Sequence, residues 1–132
     1  MDLQNLAYAL DQSIHNLGAV AVTAGSVAAL FSKEKRRLAW LVLSGWAVQS
    51  ATGALFGIIS YAFYKHLPDI GGIAVDALIV KMVCAVSGFS VAAFYLWKSE
   101  SWSERAKKGS WHLLATLAFV AITSAAFLRW FS

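Results

Sequence analysis

The stretch that decides the fold is Ile70–Trp97, which reads IGGIAVDALIVKMVCAVSGFSVAAFYLW. Asp76 and Lys81 are its only charged residues. A helix needs about 20 predominantly apolar residues to cross the hydrocarbon core of a bilayer. This stretch is therefore long and apolar enough to predict a membrane-spanning helix.

Three further blocks of similar length, which contain no Asp, Glu, Lys or Arg, surround this stretch. The chain of 132 residues is 59% hydrophobic and 14% charged, whereas a soluble domain is about 25% charged. Short connections between the blocks favour an up-down-up-down order. We predict an all-α integral membrane protein with a single domain over residues 1–132. Its fold is an antiparallel four-transmembrane-helix bundle, with helices at about 12–32, 38–64, 70–97 and 111–131.

The basic residues predict the orientation of these helices. Eight of the 11 Lys and Arg residues lie in or beside two loops, 33–37 and 98–110. Because positively charged loops stay in the cytoplasm, we expect both loops to be cytoplasmic and both termini outside, in a bacterial inner membrane. The basic loops are short and contain no recognisable nucleic-acid-binding module. The lipid bilayer, and no nucleic acid, is the expected partner.

Pairs of small residues recur at a spacing of four along the helices. Such pairs lie on one helix face and allow two helices to approach closely. The pairs are Ala21 with Gly25, Gly53 with Gly57, and Gly88 with Ala92. They indicate packing within the bundle or against partners, which would be other membrane subunits or further copies of this chain.

Lys81 is the strongest indication of function. A lysine near the centre of a bilayer costs roughly 2.5–3.5 kcal/mol on insertion scales, so it normally has a polar partner or a hydrated site. Asp76 lies about 140° away around the same helix, so it does not share a face with Lys81. The candidate partners are polar groups of the second predicted helix, namely Gln49, Ser50 and Thr52. Without a carboxylate on its own face, Lys81 indicates an anion supplied by a cofactor, a substrate or another subunit.

The three histidines suggest a metal or haem site. A haem with two histidine ligands needs both imidazoles at a similar depth. Alternating helix directions place His15, just inside the outer edge of the first helix, on the same side as His66 and opposite His112. His15 and His66 are therefore the candidate metal ligands, and a haem with mixed ligation or one protein ligand stays open. Copper would accept imidazole, with a thioether such as that of Met82.

Three short sequence patterns in this chain resemble those of a known family. They are His15-Asn16-Leu17-Gly18 followed by Gly25, the Thr52-Gly53 pair, and Lys81 within Leu78-Ile79-Val80-Lys81-Met82. The chain resembles the four-helix membrane group that includes copper-resistance-D-type domains and HemJ-type protoporphyrinogen oxidases. This resemblance implies a b-type haem site or a copper-related role, with His15 and Lys81 as the residues that carry it.

These observations lead to a first hypothesis and two alternatives. The first is a small membrane protein with a redox role that binds haem b or copper through a site of His15, Lys81 and His66. The main alternative is a non-catalytic accessory subunit of a larger respiratory or photosynthetic membrane complex. A small transporter or channel that uses Lys81 to attract an anion is a third reading. Whether the protein is an enzyme stays open, although it has no nucleotide-binding loop or zinc-protease motif.

Overall fold

The computed structural model describes residues 2–132 and contains four long helices joined by short connections. The helices are α1 (Leu3–Phe31), α2 (Lys35–Tyr64), α3 (Ile73–Lys98) and α4 (Glu104–Phe131), with a single 3-10 turn at Ser99–Ser101. No strand occurs within residues 2–132. All four helices are long and apolar enough to cross a membrane. The predicted all-α membrane protein with four antiparallel helices is confirmed.

Three helices begin earlier than the sequence blocks suggest, and for α1 and α4 the difference is about two turns. The Asp2 carboxylate accepts a hydrogen bond from the Gln4 N–H at 3.2 Å and starts α1, and the Ser103 hydroxyl accepts one from the Ala106 N–H at 3.2 Å and starts α4. Side chains of this type satisfy the free N–H groups of a first turn. The expected starts near residues 12 and 111 marked where charges stop, whereas the helices extend past the hydrocarbon as far as their caps.

The turn between α2 and α3 requires two unusual backbone conformations. Lys65 ends α2 in the left-handed region with φ 62°, and Gly72 precedes α3 with φ 52°. Pro68 lies between them, where it interrupts no helix. This turn and both chain termini lie at one end of the bundle, which we name the terminal end. The opposite end holds the two connections rich in Lys and Arg, and we name it the basic end.

Close helix packing depends on glycine at several positions. A Cβ atom added to Gly18 of α1 would lie 3.2 Å from the Gly45 carbonyl oxygen of α2, so the two backbones approach directly. Gly88 of α3 packs against the indole of Trp46. Gly53 differs, because an added Cβ atom would meet nothing within 4 Å. Packing within the bundle is thus observed for Gly25 and Gly88 but not for Gly53.

The interior of the bundle is uneven along its length. The buried apolar side chains larger than alanine or cysteine all belong to the basic-end half of their helices: Val22, Val42, Trp46, Tyr95, Trp111 and Leu114. The buried residues in the terminal half are small or polar: Asp11, Thr52, Ser60, Ala74, Ala77, Cys84, Ala121 and Ser124. Most of the fully buried core therefore lies toward the basic end, whereas the larger apolar side chains of the terminal half, such as Leu6, Ile59 and Leu78, are at most partly buried.

Candidate functional site

The candidate site is built around a contact between Lys81 and His15. The Lys81 ammonium nitrogen Nζ lies 2.9 Å from His15 Nε2. The main helix contacts are α1 with α2, α3 with α4, α2 with α3 and α1 with α4. Helices α1 and α3 are therefore diagonal partners, and the contact between Lys81 and His15 crosses the interior of the bundle.

Hydrogen bonds fix the orientation and tautomer of the His15 ring. The Thr52 hydroxyl donates its one proton to the Val48 carbonyl oxygen at 2.6 Å, as a helical threonine often does. Its oxygen lies 2.6 Å from His15 Nδ1 and therefore accepts the Nδ1–H proton. His15 Nε2 is then left with a lone pair, which accepts a proton donated by Lys81. The result is a directed chain from Lys81 through His15 and Thr52 to Val48.

The three polar residues of α2 that were expected to contact Lys81 have different roles. Thr52 binds the ring of His15, and the Gln49 side-chain amide donates to the His15 backbone carbonyl. Ser50 instead donates to the Trp46 carbonyl oxygen at 2.9 Å. Two of the three candidates therefore support His15, and through it Lys81, while Ser50 takes no part.

The charge of Lys81 is not neutralised by any carboxylate of residues 2–132. The ion pairs within 4.0 Å in this part of the chain all lie at the basic end: Arg36 with Glu100, Arg37 with Glu34, and Lys107 with Glu104. The ammonium of Lys81 can donate three hydrogen bonds, and in residues 2–132 it makes only the one to His15. Its one hydrogen-bond partner is the His15 imidazole, and no carboxylate lies within 4.0 Å of the ammonium in this part of the chain.

Asp11 is a further polar residue near this site that the sequence did not single out. It lies one helical turn before His15 on α1, is only 4% exposed, and its Oδ1 atom has no hydrogen-bond partner within the described residues. The sequence contained a usable signal, because Asp11, Gly18 and Gly25 are spaced by seven. A seven-residue spacing keeps residues on nearly the same helix face, and both glycines pack against α2.

A hydrocarbon core of about 30 Å centred on the four helices would enclose the site. At 1.5 Å per residue, His15 and Thr52 lie about 18 Å from the terminal end of their helices, and Lys81 lies about 12 Å from it. Helices of about 40 Å extend only about 5 Å beyond each side of a 30 Å hydrocarbon core. His15 was expected just inside the edge of the first helix, but α1 begins at Leu3, so His15 lies deeper and its side chain meets that of Lys81.

His66 is not brought to the site. It is exposed and follows the end of α2, with Nδ1 2.8 Å from the Leu67 carbonyl oxygen, whereas His15 binds Thr52 about 18 Å further along α2. Met82 is 59% exposed on the outer face of α3. Within residues 2–132, no group of three His, Cys, Asp or Glu side chains could hold a metal ion. Of the predicted site residues, the structure joins His15 and Lys81 only.

Comparisons with known protein families, curated proteins and solved structures found no match to this chain. The resemblance to copper-resistance-D-type domains and HemJ-type oxidases therefore remains a hypothesis. The functional argument rests on the geometry of His15, Lys81 and their surroundings.

Proposed function

We propose that the terminal half of the bundle binds a carboxylate-bearing apolar cofactor of the b-type haem class, and that the protein has a redox role in the membrane. One observation carries this proposal: the ammonium of Lys81 lies inside the bundle beside His15, and no carboxylate in residues 2–132 lies within 4.0 Å of it. A buried charge without a counter-charge is costly. An acidic group on a bound cofactor would remove that cost.

The surroundings of Lys81 suit such a ligand. The terminal half contains no buried apolar side chain larger than alanine or cysteine within residues 2–132, so a planar apolar molecule would displace little packed core there. The ammonium keeps two N–H donors free of protein partners in the described residues. A haem propionate would accept hydrogen bonds from them, and such charge-assisted bonds are the strong ones.

His15 has the arrangement of a histidine that can bind a metal. Ligating histidines usually donate their second ring N–H to a fixed acceptor, which orients the ring. Here Thr52 accepts the Nδ1–H, and Nε2 carries the lone pair. That lone pair now accepts from Lys81, so a propionate that draws the ammonium away would leave Nε2 free to bind iron. The haem itself would supply reversible one-electron transfer.

Haem is favoured over copper by the donor set. In the described part of the chain no three metal-binding side chains come together. His66 lies beyond the end of α2 and His112 lies near the basic end on α4, so His15 is the one histidine available at the site. A haem can be held by a single histidine of the protein, whereas copper sites commonly use several soft or nitrogen ligands.

The visible spectrum of the purified protein tests the proposal directly. Protein produced with a haem supply should show a Soret band that shifts on reduction with dithionite. The band should weaken strongly in His15→Ala and persist in His112→Ala, because only the first residue lies beside Lys81. A protein that stays colourless after haem has been offered in detergent and in bilayers would refute the haem proposal.

The accessory-subunit alternative is favoured by a separate observation. Within residues 2–132, nothing lies within 4 Å of a Cβ added to Gly53, and a Cβ added to Gly57 meets the Leu67 side chain alone, at 3.8 Å. Small residues on an unpacked face of a membrane helix are a usual surface for association. Purification in mild detergent should then yield a complex with a large membrane partner. A stable isolated monomer or homodimer would count against this alternative.

A further inference from the structure

We propose that a gap between α2 and α3 beside Gly53 admits an amphiphile from the bilayer, and that its carboxylate binds Lys81 while its apolar part lies in the gap. This inference rests on the proposed function and specifies its ligand class and its route. The ligand chemistry is a single carboxylate on an apolar body. Two sources share that chemistry, namely a haem propionate and a fatty acid of the membrane.

The gap follows from a comparison of two levels of the same helix face. At the level of Gly88, the indole of Trp46 fills the space between α2 and α3 so completely that an added Cβ on Gly88 would lie 2.7 Å from Cζ2 of that ring. Gly53 follows Trp46 by seven residues and therefore points within about 20° of the same direction. There, an added Cβ atom meets nothing within 4 Å. The space that Trp46 fills at one level is open at the other.

Lys81 lies at the inner side of this gap. It precedes Gly88 by seven residues and thus occupies the face of α3 that is turned to α2. Its depth matches that of Gly53, because Lys81 binds His15 and His15 binds Thr52, the neighbour of Gly53. A molecule between α2 and α3 at Gly53 would therefore have its polar end within reach of the ammonium.

The charge of the site selects the polar end of that molecule. Lys81 is a cation with two donors that lack partners in residues 2–132, and its one partner is a neutral ring. A carboxylate neutralises this charge and accepts both hydrogen bonds. An ester or an alcohol would accept hydrogen bonds without supplying the charge.

The test uses stearic acid that carries a nitroxide on its chain, with its methyl ester as the uncharged counterpart. Both probes are added to the purified protein in nanodiscs of zwitterionic lipid, at a pH where the acid is ionised. The immobilised fraction of the spin label measures binding. We expect the acid to bind at least about tenfold more tightly than the ester, because one charge-assisted hydrogen bond contributes about that factor in affinity. Lys81→Met should abolish this difference.

The route is tested with a filled gap and a control at matched depth. Gly53→Leu should lower binding of the acid about tenfold or more, since its side chain would extend into the space that is open around an added Cβ atom. Ala51→Leu places the same side chain on the exposed opposite face of α2, about 200° from Gly53, and should leave binding unchanged. Circular dichroism and gel filtration confirm that both variants are folded.

The outcomes of these experiments distinguish the haem proposal from the proposal of a gap beside Gly53. Equal binding of acid and ester by the native protein would overturn the inference, as would unchanged binding in Gly53→Leu when Lys81→Met has lost it. A haem spectrum that survives in Gly53→Leu would refute this route and leave the haem proposal standing. Selective acid binding without any haem spectrum would uphold the gap and the ligand chemistry and refute haem as the cofactor.

Discussion

Replacing Lys81 with methionine is expected to stabilise the protein or leave its stability unchanged. The substitution removes a cation whose placement in a helix within the membrane costs roughly 2.5–3.5 kcal/mol on insertion scales. It also removes the donor to His15 Nε2, and an acceptor left without a partner costs about 1–3 kcal/mol. Methionine keeps an unbranched side chain of similar length. The difference in the free energy of unfolding lies between a loss of about 0.5 and a gain of about 2.5 kcal/mol, so stability should rise or stay nearly unchanged.

The gain can be measured by equilibrium unfolding in mixed micelles with a rising fraction of SDS. The six tryptophans provide a fluorescence signal. Lys108→Met is the control, because Lys108 is exposed at the basic end and surface substitutions usually change stability by less than about 0.5 kcal/mol. Ligand binding is measured on the same samples, where Lys81→Met should lose it and Lys108→Met should keep it.

A loss of more than about 2 kcal/mol in Lys81→Met would refute the reasoning. Lys81 would then serve chiefly to join α1 to α3 through His15, and the argument that its charge awaits an anion would lose its basis. A gain in stability together with lost binding is the pattern expected of a residue retained for function at the expense of stability.

Three further predictions concern packing, ring orientation and topology. Gly88→Ala should lower the free energy of unfolding by about 1–3 kcal/mol, because the added methyl overlaps the Trp46 indole. Gly53→Ala should raise it by up to about 1 kcal/mol. Equal effects of the two substitutions in SDS unfolding would contradict the packing described. Thr52→Val should weaken haem binding about 10–100-fold in a spectral titration, with unchanged affinity counting against a role for the hydroxyl in orienting His15. An impermeant maleimide on intact cells should label Asp69→Cys and spare Ser101→Cys, and the reverse result would invert the proposed orientation.

The membrane fold could be predicted from the sequence because it depends on local properties. Each helix contains an apolar run long enough to cross the hydrocarbon, and this requirement is independent of how the helices pack. The predicted helix starts are less accurate, because the end of a charge-free block does not mark the end of a helix. Asp2 and Ser103 were available as capping residues, and a start near Leu3 would have placed His15 at the depth of Lys81.

The partner of Lys81 could not be predicted, because it depends on which helices face one another. Gln49, Ser50 and Thr52 all lie on α2, and nothing in their sequence positions distinguishes one of them as the partner of Lys81. The structure shows that the diagonal helix α1 supplies the partner, and that Thr52 acts through His15. The small-residue pairs are equally ambiguous in the sequence. Gly53 and Gly88 each belong to such a pair, yet Gly88 packs against the Trp46 indole while a Cβ atom added to Gly53 would meet nothing within 4 Å in residues 2–132.

The uneven packing of the interior explains how the bundle can keep Lys81 in its terminal half. The large buried apolar side chains lie toward the basic end, so most of the packing free energy is gained there and the terminal half contributes little. A bundle selected only for stability would fill that half with leucine and would not retain a cation in it. Stability in one half allows the other half to keep a costly charge and an open helix face. This arrangement is expected where a preformed site must receive a ligand that supplies both the missing anion and the missing apolar volume.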